Sequence, residues 1–520
     1  MSTIRKWLPL GAGVLILALS LAAVDSKGSF WPAFVGFLVI GGIGATLLAV
    51  AWRFVGQDRS PKGLLTALVA AVLLRLLLGT GLFYGLPAFG YETASNQQGY
   101  IFYDAHTRDT DAYARARSDR PLITAFQDRK SSDQYGGLLF LSSAAYRYLS
   151  EGHHRPLMMV VLAAAVSSLA VLFTWGFGAI LFGSRVGLIA AWVVALYPDY
   201  VLLGSSQMRE AFFVPALAGA LYGYARLRLG DRTGGFIFIG LGVLLTLFVS
   251  PPYAFVALGL VGILWLITSR KNRSSWVLIL VAGVVILLLA LLLTVQAWGG
   301  IQGLPEQGPF AILSGWLTQG AAFQRSLLEE GSGWVQKMFS VTPAWSHPLL
   351  ATLYGLTLPF LPAAIADNSG AWIWQAIAIY RALGWFLLLP PLIYGTLAAF
   401  RAEKHRKLLL FVALVVWATA LLASFRAGGD LWDNPRYRAA FISFQAILAS
   451  WAWITARRRS SPWLRHWYIV IFGSSLIFFH WYAGRYFGTP RLSLLLTLAG
   501  TLFFAIIYLL SNWWRGRQQA

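Results

Sequence analysis

The segment YIFYDAHTRDTDAYARARSDR, beginning at Tyr100, places Asp104, Asp109 and Asp111 within eight positions, interleaved with Arg108, Arg115 and Arg117 and the rings of Phe102, Tyr103 and Tyr113. Carboxylates at this density can take the proton of a hydroxyl or hold a divalent cation, and arginines among them can hold phosphate. The plainer reading is a solvated helix of alternating charge. A second segment, YPDYVLLGSSQMREAFF, puts Arg209 and Glu210 at the head of a long apolar run. A carboxylate there gains roughly 0.3–1 kcal/mol from the helix dipole alone, so capping competes with chemistry as its explanation. The third segment, FRAGGDLWDNPRYRAAFISFQAIL, sets Arg436, Tyr437 and Arg438 just ahead of another apolar run, where a lipid headgroup or a substrate phosphate would satisfy them. Arg75 and Arg381 fall inside apolar stretches and need a carboxylate, a route to the interface or a function.

Other chemistries lack their residues. The seven histidines, His106, His153, His154, His347, His405, His466 and His480, show no metal-ligand spacing, so no strong metal site is expected from them. With no cysteine there is no thiolate catalysis or thiolate zinc site. A Walker A motif, a dinucleotide fingerprint and a GxSxG elbow are also missing, which argues against an ATP-driven pump or a serine hydrolase.

The elements that must position these residues are membrane helices. The chain has 520 residues, 58% apolar and only 12% charged, with a mean hydropathy of +0.64, which excludes a soluble enzyme. The formal charge of +21 points to cytoplasmic loops held by anionic membrane lipid rather than to nucleic acid. Apolar runs bounded by charge predict an all-α polytopic membrane protein of about fourteen transmembrane helices, twelve at the least. They fall near Trp7–Val24, Trp31–Phe54, Leu64–Tyr84, Pro156–Phe182, Val186–Leu203, Met208–Leu227, Phe236–Phe248 and Tyr253–Thr268, then Trp276–Gln296, Trp374–Phe400, Leu408–Ser424, Ala439–Thr455, Trp467–Trp481 and Leu492–Trp513. The first reads as an uncleaved helix rather than a signal peptide, because the apolar run is of bilayer length.

With both termini inside, the basic loops at Arg226, Arg270, Arg401 and Arg457 all fall on the cytoplasmic side. Only Asp58, Asp231 and Glu403 among the twenty acids then lie inside, which leaves the carboxylates concentrated on the external face. Two external loops are long, and the first ends in GGLLFLSSAAYRYL from Gly136, which is too short to span and reads as an interfacial helix. In the second, the Pro-interrupted LTLPFLPAAI is expected to dip into the membrane rather than cross it. The organisation is therefore an N-terminal two-helix extension (1–62), a transmembrane core (63–296) carrying the first external loop (85–155), a second external loop region (297–373) and C-terminal transmembrane helices (374–520).

The acid-bearing first loop, followed by the stretch from RPLMMVVLAAAV to ALYGYARL, resembles the GT-C membrane glycosyltransferases, nearest the bacterial family 39 and dolichyl-phosphate-mannose-protein mannosyltransferase-like members. Phe182 to Ala191 is similar to the family's FG-x-R-x-G-x-x-A-A turn, Pro198 to the proline after it, and Glu210 to the acid opening the next helix. NPRYRAAFISFQAIL is similar to its RYR segment, with Ala439 and Ala440 where a proline usually follows. The resemblance implies a GT-C-like fold in the bacterial cytoplasmic membrane with its active site on the external face. It implies inverting transfer of a sugar from a polyprenyl-phosphate donor to a glycan, lipid or protein acceptor. Carried onto this chain, the catalytic carboxylates are Asp104, Asp109, Asp111 and Glu210, of which the first three share the family's loop aspartate among them; relatives often have an Asp-Glu pair where this chain has Asp-Thr-Asp. Arg108, Arg209, Arg436, Tyr437 and Arg438 are the phosphate- and substrate-binding residues expected beside them, and no cofactor is required, although a divalent cation could join the carboxylates.

An O-antigen-type polymerase or ligase would carry its main loop late in the chain, whereas the acid-rich loop here is early. A lipid-glycan flippase would line a path with mid-helix charges, and here the acids collect outside. The topology makes a direct prediction in this cysteine-free chain. In intact cells an impermeant maleimide should label D111C and leave K404C unlabelled; labelling of K404C would invert the orientation.

Overall fold

The computed structural model describes residues 2–25, 29–56, 60–127, 133, 135–268, 336, 339–367, 370–426 and 436–518. The expected helix at Trp276–Gln296 and most of the second external loop lie outside them. The chain divides into two compact units: residues 1–88, 92–196 and 200–319, and residues 89–91, 197–199 and 320–520.

The first unit begins with α1 (Ser2–Val24), α2 (Phe30–Val55) and α3 (Leu64–Phe89, whose last residue belongs to the second unit), followed by the short α4 (Ala94–Gln97), the polar α5 (Tyr103–Ala116) and α6 (Gly137–Leu149). Its later helices are α7 (Leu157–Phe182), α8 (Ser184–Leu196), α9 (Pro198–Gly204, whose first two residues belong to the second unit), α10 (Glu210–Arg228), α11 (Arg232–Val249) and α12 (Pro251–Thr268). The axis of this unit is α7, buried over 83% of its most apolar window, with α2, α8 and α10 packed around it. A helix apolar on every side has no solvent face to offer, and its sequence, LMMVVLAAAVSSLAVLFTWGFGAILF, predicts that position. Ala18, Ala22, Phe37, Met158 and Val161 share one core with Leu139 and Tyr146 of α6, so the first two helices and the loop helix close over the same residues. α10 and α11 approach closely where a Cβ on Gly223 would meet the Gly235 carbonyl at 2.7 Å, and one on Gly242 the Ala216 carbonyl at 2.5 Å.

The second unit contains α13 (His347–Thr357), α14 (Leu361–Ala366), α15 (Trp372–Ala399), α16 (Arg406–Arg426), α17 (Arg436–Ala439), α18 (Ile442–Arg458), α19 (Trp463–Phe487) and α20 (Leu494–Gln518). Its centre is α15, against which α14, α16, α18 and α19 pack. The most apolar window of α20 is only 6% buried, so nearly all of that apolar surface faces outward, as a lipid-facing span does.

The expectation of about fourteen spanning helices is corrected. Among the described residues nine helices are long and apolar enough to cross a membrane, or ten if the bent pair α8 and α9 counts as one span. The chain is thus an all-α multi-pass membrane protein, with fewer spanning helices among its described residues than their apolar runs suggest. The run expected as Val186–Leu203 breaks by 60° between α8 and α9, at the residue preceding Pro198, where a proline disfavours helix in its predecessor. α10 carries Glu210 at one end and Arg226 and Arg228 at the other, leaving an uncharged stretch shorter than the ~20 residues a bilayer core asks for. α18 has only 17 residues. The short helix expected at the interface, α6, packs on α5 and against Phe248 of α11. The Pro-interrupted LTLPFLPAAI stretch falls at the end of α13 and in α14, helices of 11 and 6 residues.

Gly137 begins α6 with its Cα against α11, where an added Cβ would lie 1.9 Å from the Phe248 carbonyl oxygen. Backbone cannot swing aside as a side chain can. G137A should therefore lower stability by about 1–3 kcal/mol, read as a lower melting temperature of the purified protein, while G240A, which meets nothing within 4 Å, should leave it unchanged.

Candidate functional site

α5 has two chemically different flanks. Ala105 and Ala112 are seven residues apart and buried, so they form one line along the helix on which it sits close to its neighbours. Arg108 and Asp109 project to either side of that line, and both are buried. Asp104, Asp111 and Arg115 share the Arg108 flank by helical spacing, whereas His106 and Tyr113 share the Asp109 flank.

On the Asp109 flank the carboxylate is 0% exposed and accepts hydrogen bonds from the Tyr100 and Tyr146 hydroxyls and from Gln207 Nε2, with His154 Nε2 in close contact. Gln207 Nε2 also donates to the Tyr146 hydroxyl at 3.0 Å. The amide orientation follows from chemistry, since an ionised carboxylate only accepts and the nitrogen must face it. The His154 ring stacks on Tyr113 at 4.6 Å, and Tyr113 in turn donates to the Gly152 carbonyl at 2.6 Å. Four close polar partners occupy the lone pairs of this carboxylate. The Asp109 carboxylate is therefore held in one position. Burial pushes the Tyr100 and Tyr146 hydroxyls far above their ordinary range, and the Asp109 charge adds to this, so both remain protonated donors. Burial also lowers the His106 imidazole, against the pull of Asp109 and with the help of His154.

On the other flank, Arg108 Nη1 donates to the Gln207 carbonyl at 2.7 Å, so Gln207 grips Asp109 with its side chain and Arg108 with its backbone. Arg108 and Arg209 both stand in the field of Asp133, Asp104 and Glu210. Burial lowers the Arg108 guanidinium despite those acids; for Arg209 burial acts the same way, but Asp133 and Glu210 outweigh it and the net shift is upward. Arg209 also lies 5.3 Å over the Tyr135 ring. Asp133 accepts the Leu139 amide at 2.8 Å, which satisfies one free N–H in the first turn of α6. The fold thus brings Asp104 and Glu210 into one electrostatic neighbourhood although about a hundred residues separate them, with Asp111 on the same flank of α5 and Asp109 on the opposite one. The donors around Asp109 suit an anion and not a cation, and among the described residues no three His, Asp or Glu side chains are arranged to hold a metal ion.

The second unit has its own buried charges. Arg381 Nε donates to Asp199 Oδ1 at 2.5 Å, and Arg438 Nη2 lies 3.9 Å from Asp199 Oδ2. All three side chains are at most 4% exposed. The Arg438 guanidinium lies 3.7 Å over the Trp385 ring, and its Nε and Nη2 have no hydrogen-bond partner among the described residues. Arg436 Nη2 donates to the Tyr437 hydroxyl at 3.3 Å. Of the two arginines inside apolar stretches, Arg381 therefore has a carboxylate. Arg75, in the first unit, donates instead to the carbonyls of Ala71, Val194 and Ala195 at 3.1–3.2 Å and faces the Tyr200 ring, as a brace between α3 and α8 does.

Tyr100, Asp133, Tyr146, His154, Asp199 and Gln207 went unchosen in the sequence. Asp199 carried the clearest signal, a carboxylate directly after a proline in an apolar run. Gln207 stood three residues before Glu210 without a charge to mark it.

This is an all-α multi-pass membrane protein, with buried charged side chains in each of its two units among the described residues. No family model matches the chain, and no curated protein does. Among solved structures it is similar to the Archaeoglobus fulgidus oligosaccharyltransferase in its apo form, at 15% identity over 85% of this chain and 54% of that one, with a TM-score of 0.41. It is likewise similar to archaeal oligosaccharyltransferase AglB from Archaeoglobus fulgidus in complex with an inhibitory peptide and a dolichol-phosphate, at 14% identity over 85% and 54%, with a TM-score of 0.40. The chain thus spans about half the length of both.

The Asp109 cage predicts a pH signature. Q207E sets a second carboxyl against Asp109, and that carboxyl keeps its proton in the folded state to a higher pH than in the unfolded chain. The variant should approach wild-type stability near pH 4 and fall below it by on the order of 2 kcal/mol at pH 8. Melting curves at the two pH values decide it; a deficit that does not grow with pH would mean the new carboxyl does not meet Asp109.

Proposed function

We propose that this protein is a glycosyltransferase of the GT-C type that moves a sugar from a polyprenyl-phosphate donor to an acceptor hydroxyl or amide, with inversion, on the external face of a bacterial cytoplasmic membrane. The observation that carries this reading is the pair Arg381 and Arg438, two buried guanidiniums that share the single carboxylate of Asp199. Among the described residues the Arg438 nitrogens Nε and Nη2 have no hydrogen-bond acceptor, although the guanidinium is buried. A phosphate on an apolar chain brings an anion from within the membrane, and guanidinium N–H groups match its oxygens. Arg436 and Tyr437 extend the phosphate site.

In the reaction the acceptor attacks the anomeric carbon while the bond to the carrier phosphate oxygen breaks. The phosphate leaves with that electron pair and the acceptor proton passes to a carboxylate. Asp104 and Glu210 are the proposed bases, with Asp111 beside Asp104, because Asp109 has its lone pairs occupied. Arg108 and Arg209 stand in the field of Asp104 and Glu210. Asp109 fixes the loop that presents them. The likeness to the archaeal oligosaccharyltransferases and the FGSRVGLIAA and RYR segments agree with this reading.

Reconstituted protein with a short-chain polyprenyl-phosphate sugar tests it. R438Q should weaken carrier binding at least about tenfold, a change of about 1.4 kcal/mol, and R117Q by less than about twofold. E210Q or D104N, whichever removes the base, should cut transfer about 10²- to 10⁴-fold with binding intact. No sugar transfer by the wild type, or equal effects of R438Q and R117Q, would overturn the assignment.

A further inference from the structure

We infer that Asp199 is a resident counter-ion, a carboxylate that occupies the cationic site between turnovers and yields Arg438 to the phosphate of an incoming lipid. This rests on the phosphate-site reading above and assigns to that site a residue whose role is release rather than capture. Asp199 is the second residue of α9, directly after the 60° break from α8, and is 2% exposed. Its two oxygens are used unequally. Oδ1 accepts from Arg381 Nε at 2.5 Å, a full charge-assisted hydrogen bond. Oδ2 accepts from the Tyr197 hydroxyl at 3.3 Å and lies 3.9 Å from Arg438 Nη2, beyond hydrogen-bond reach.

Arg438 is fixed independently of Asp199. Its guanidinium plane rests on Trp385, whose indole N–H is anchored on the Leu356 carbonyl at 3.0 Å, and its own carbonyl accepts from Gln445 Nε2 at 2.9 Å. A guanidinium held flat against a ring presents its N–H groups at its edge, and two of those nitrogens, Nε and Nη2, have no acceptor among the described residues. The site therefore holds one cation committed to Asp199 and one oriented but unsatisfied. An anion bound at Arg438 gains its free N–H groups and is repelled by the nearby carboxylate. Repulsion from Asp199 weakens the bound phosphate and speeds its departure; without it the product would be held by two buried guanidiniums.

The sign of the prediction separates this role from a bracing one. If Asp199 merely held Arg381 in place, neutralising it would weaken lipid binding. As a competing anion, its neutralisation should tighten it. In nanodiscs, D199N should bind undecaprenyl phosphate at least about fivefold more tightly than the wild type, bind uncharged undecaprenol equally, and show lower kcat together with lower KM, while D199E should restore wild-type values. Weaker or unchanged binding of undecaprenyl phosphate by D199N would overturn the inference and leave the phosphate site standing. A wild type that does not prefer undecaprenyl phosphate over undecaprenol would bring down both. Should D199N fail to fold, the wild-type chain supplies the test through 5-fluorotryptophan, with the Trp385 resonance assigned by W385F. That resonance should shift with undecaprenyl phosphate and not with undecaprenol as Arg438 changes partner, and an unmoved resonance overturns the inference.

Discussion

A carboxylate withdrawn from water costs several kcal/mol unless hydrogen-bond donors replace the solvent it gave up. In the first unit Asp109 meets this condition through Tyr100, Tyr146, Gln207 and His154, which come from the segment before α5, from α6, from the turn ahead of α10 and from the turn ahead of α7. None of these four can be displaced without leaving a buried charge short of a partner. The position of α5 on the unit, and so of the acids on its other flank, follows from that condition. Because Gln207 also accepts from Arg108 through its backbone, the two flanks are locked at one residue.

The second unit answers the same problem differently. Arg381 and Arg438 face the Asp199 carboxylate, and the Arg438 guanidinium has its plane fixed on Trp385 while its Nε and Nη2 have no acceptor among the described residues. A fully matched network has little to gain from a ligand and is rigid for that reason. An unmatched one is costly alone and gains most from an anion. The first arrangement supplies a fixed geometry, and the second leaves guanidinium N–H groups without an acceptor among the described residues.

Much of this was legible in the residues. Apolar runs located α2, α3, α7, α15, α16 and α20 to within a few residues, because bilayer-length helices announce themselves by length and hydropathy together. The same rule failed on the runs near Val186, Met208 and Ala439, where a proline break, charged ends or a short helix removes the length requirement without removing the apolar residues. In the site, the cluster of loop acids was visible as a cluster. Their division into two flanks was not, because it depends on which face of α5 is buried, and Ala105 and Ala112 mark that face only once the helix has neighbours. Tyr146 and Gln207 could not be distinguished from other polar residues in apolar surroundings, since what makes them consequential is a carboxylate distant in sequence.

The division within α5 bears on how an acid-rich loop can be stable. Three aspartates on one face of a helix would repel one another, raise each other's pKa and leave the loop without a fixed position. By spacing them 104, 109 and 111, the sequence sends the middle one to the opposite flank, where hydrogen-bond donors consume its charge in holding the helix down. The outer two remain beside Arg108, with Arg209 and Glu210 contributed by the start of α10. A carboxylate that is saturated by donors is an anchor. Adjacent turns of a single helix thus place one carboxylate in a cage of donors and the other two on the flank of Arg108.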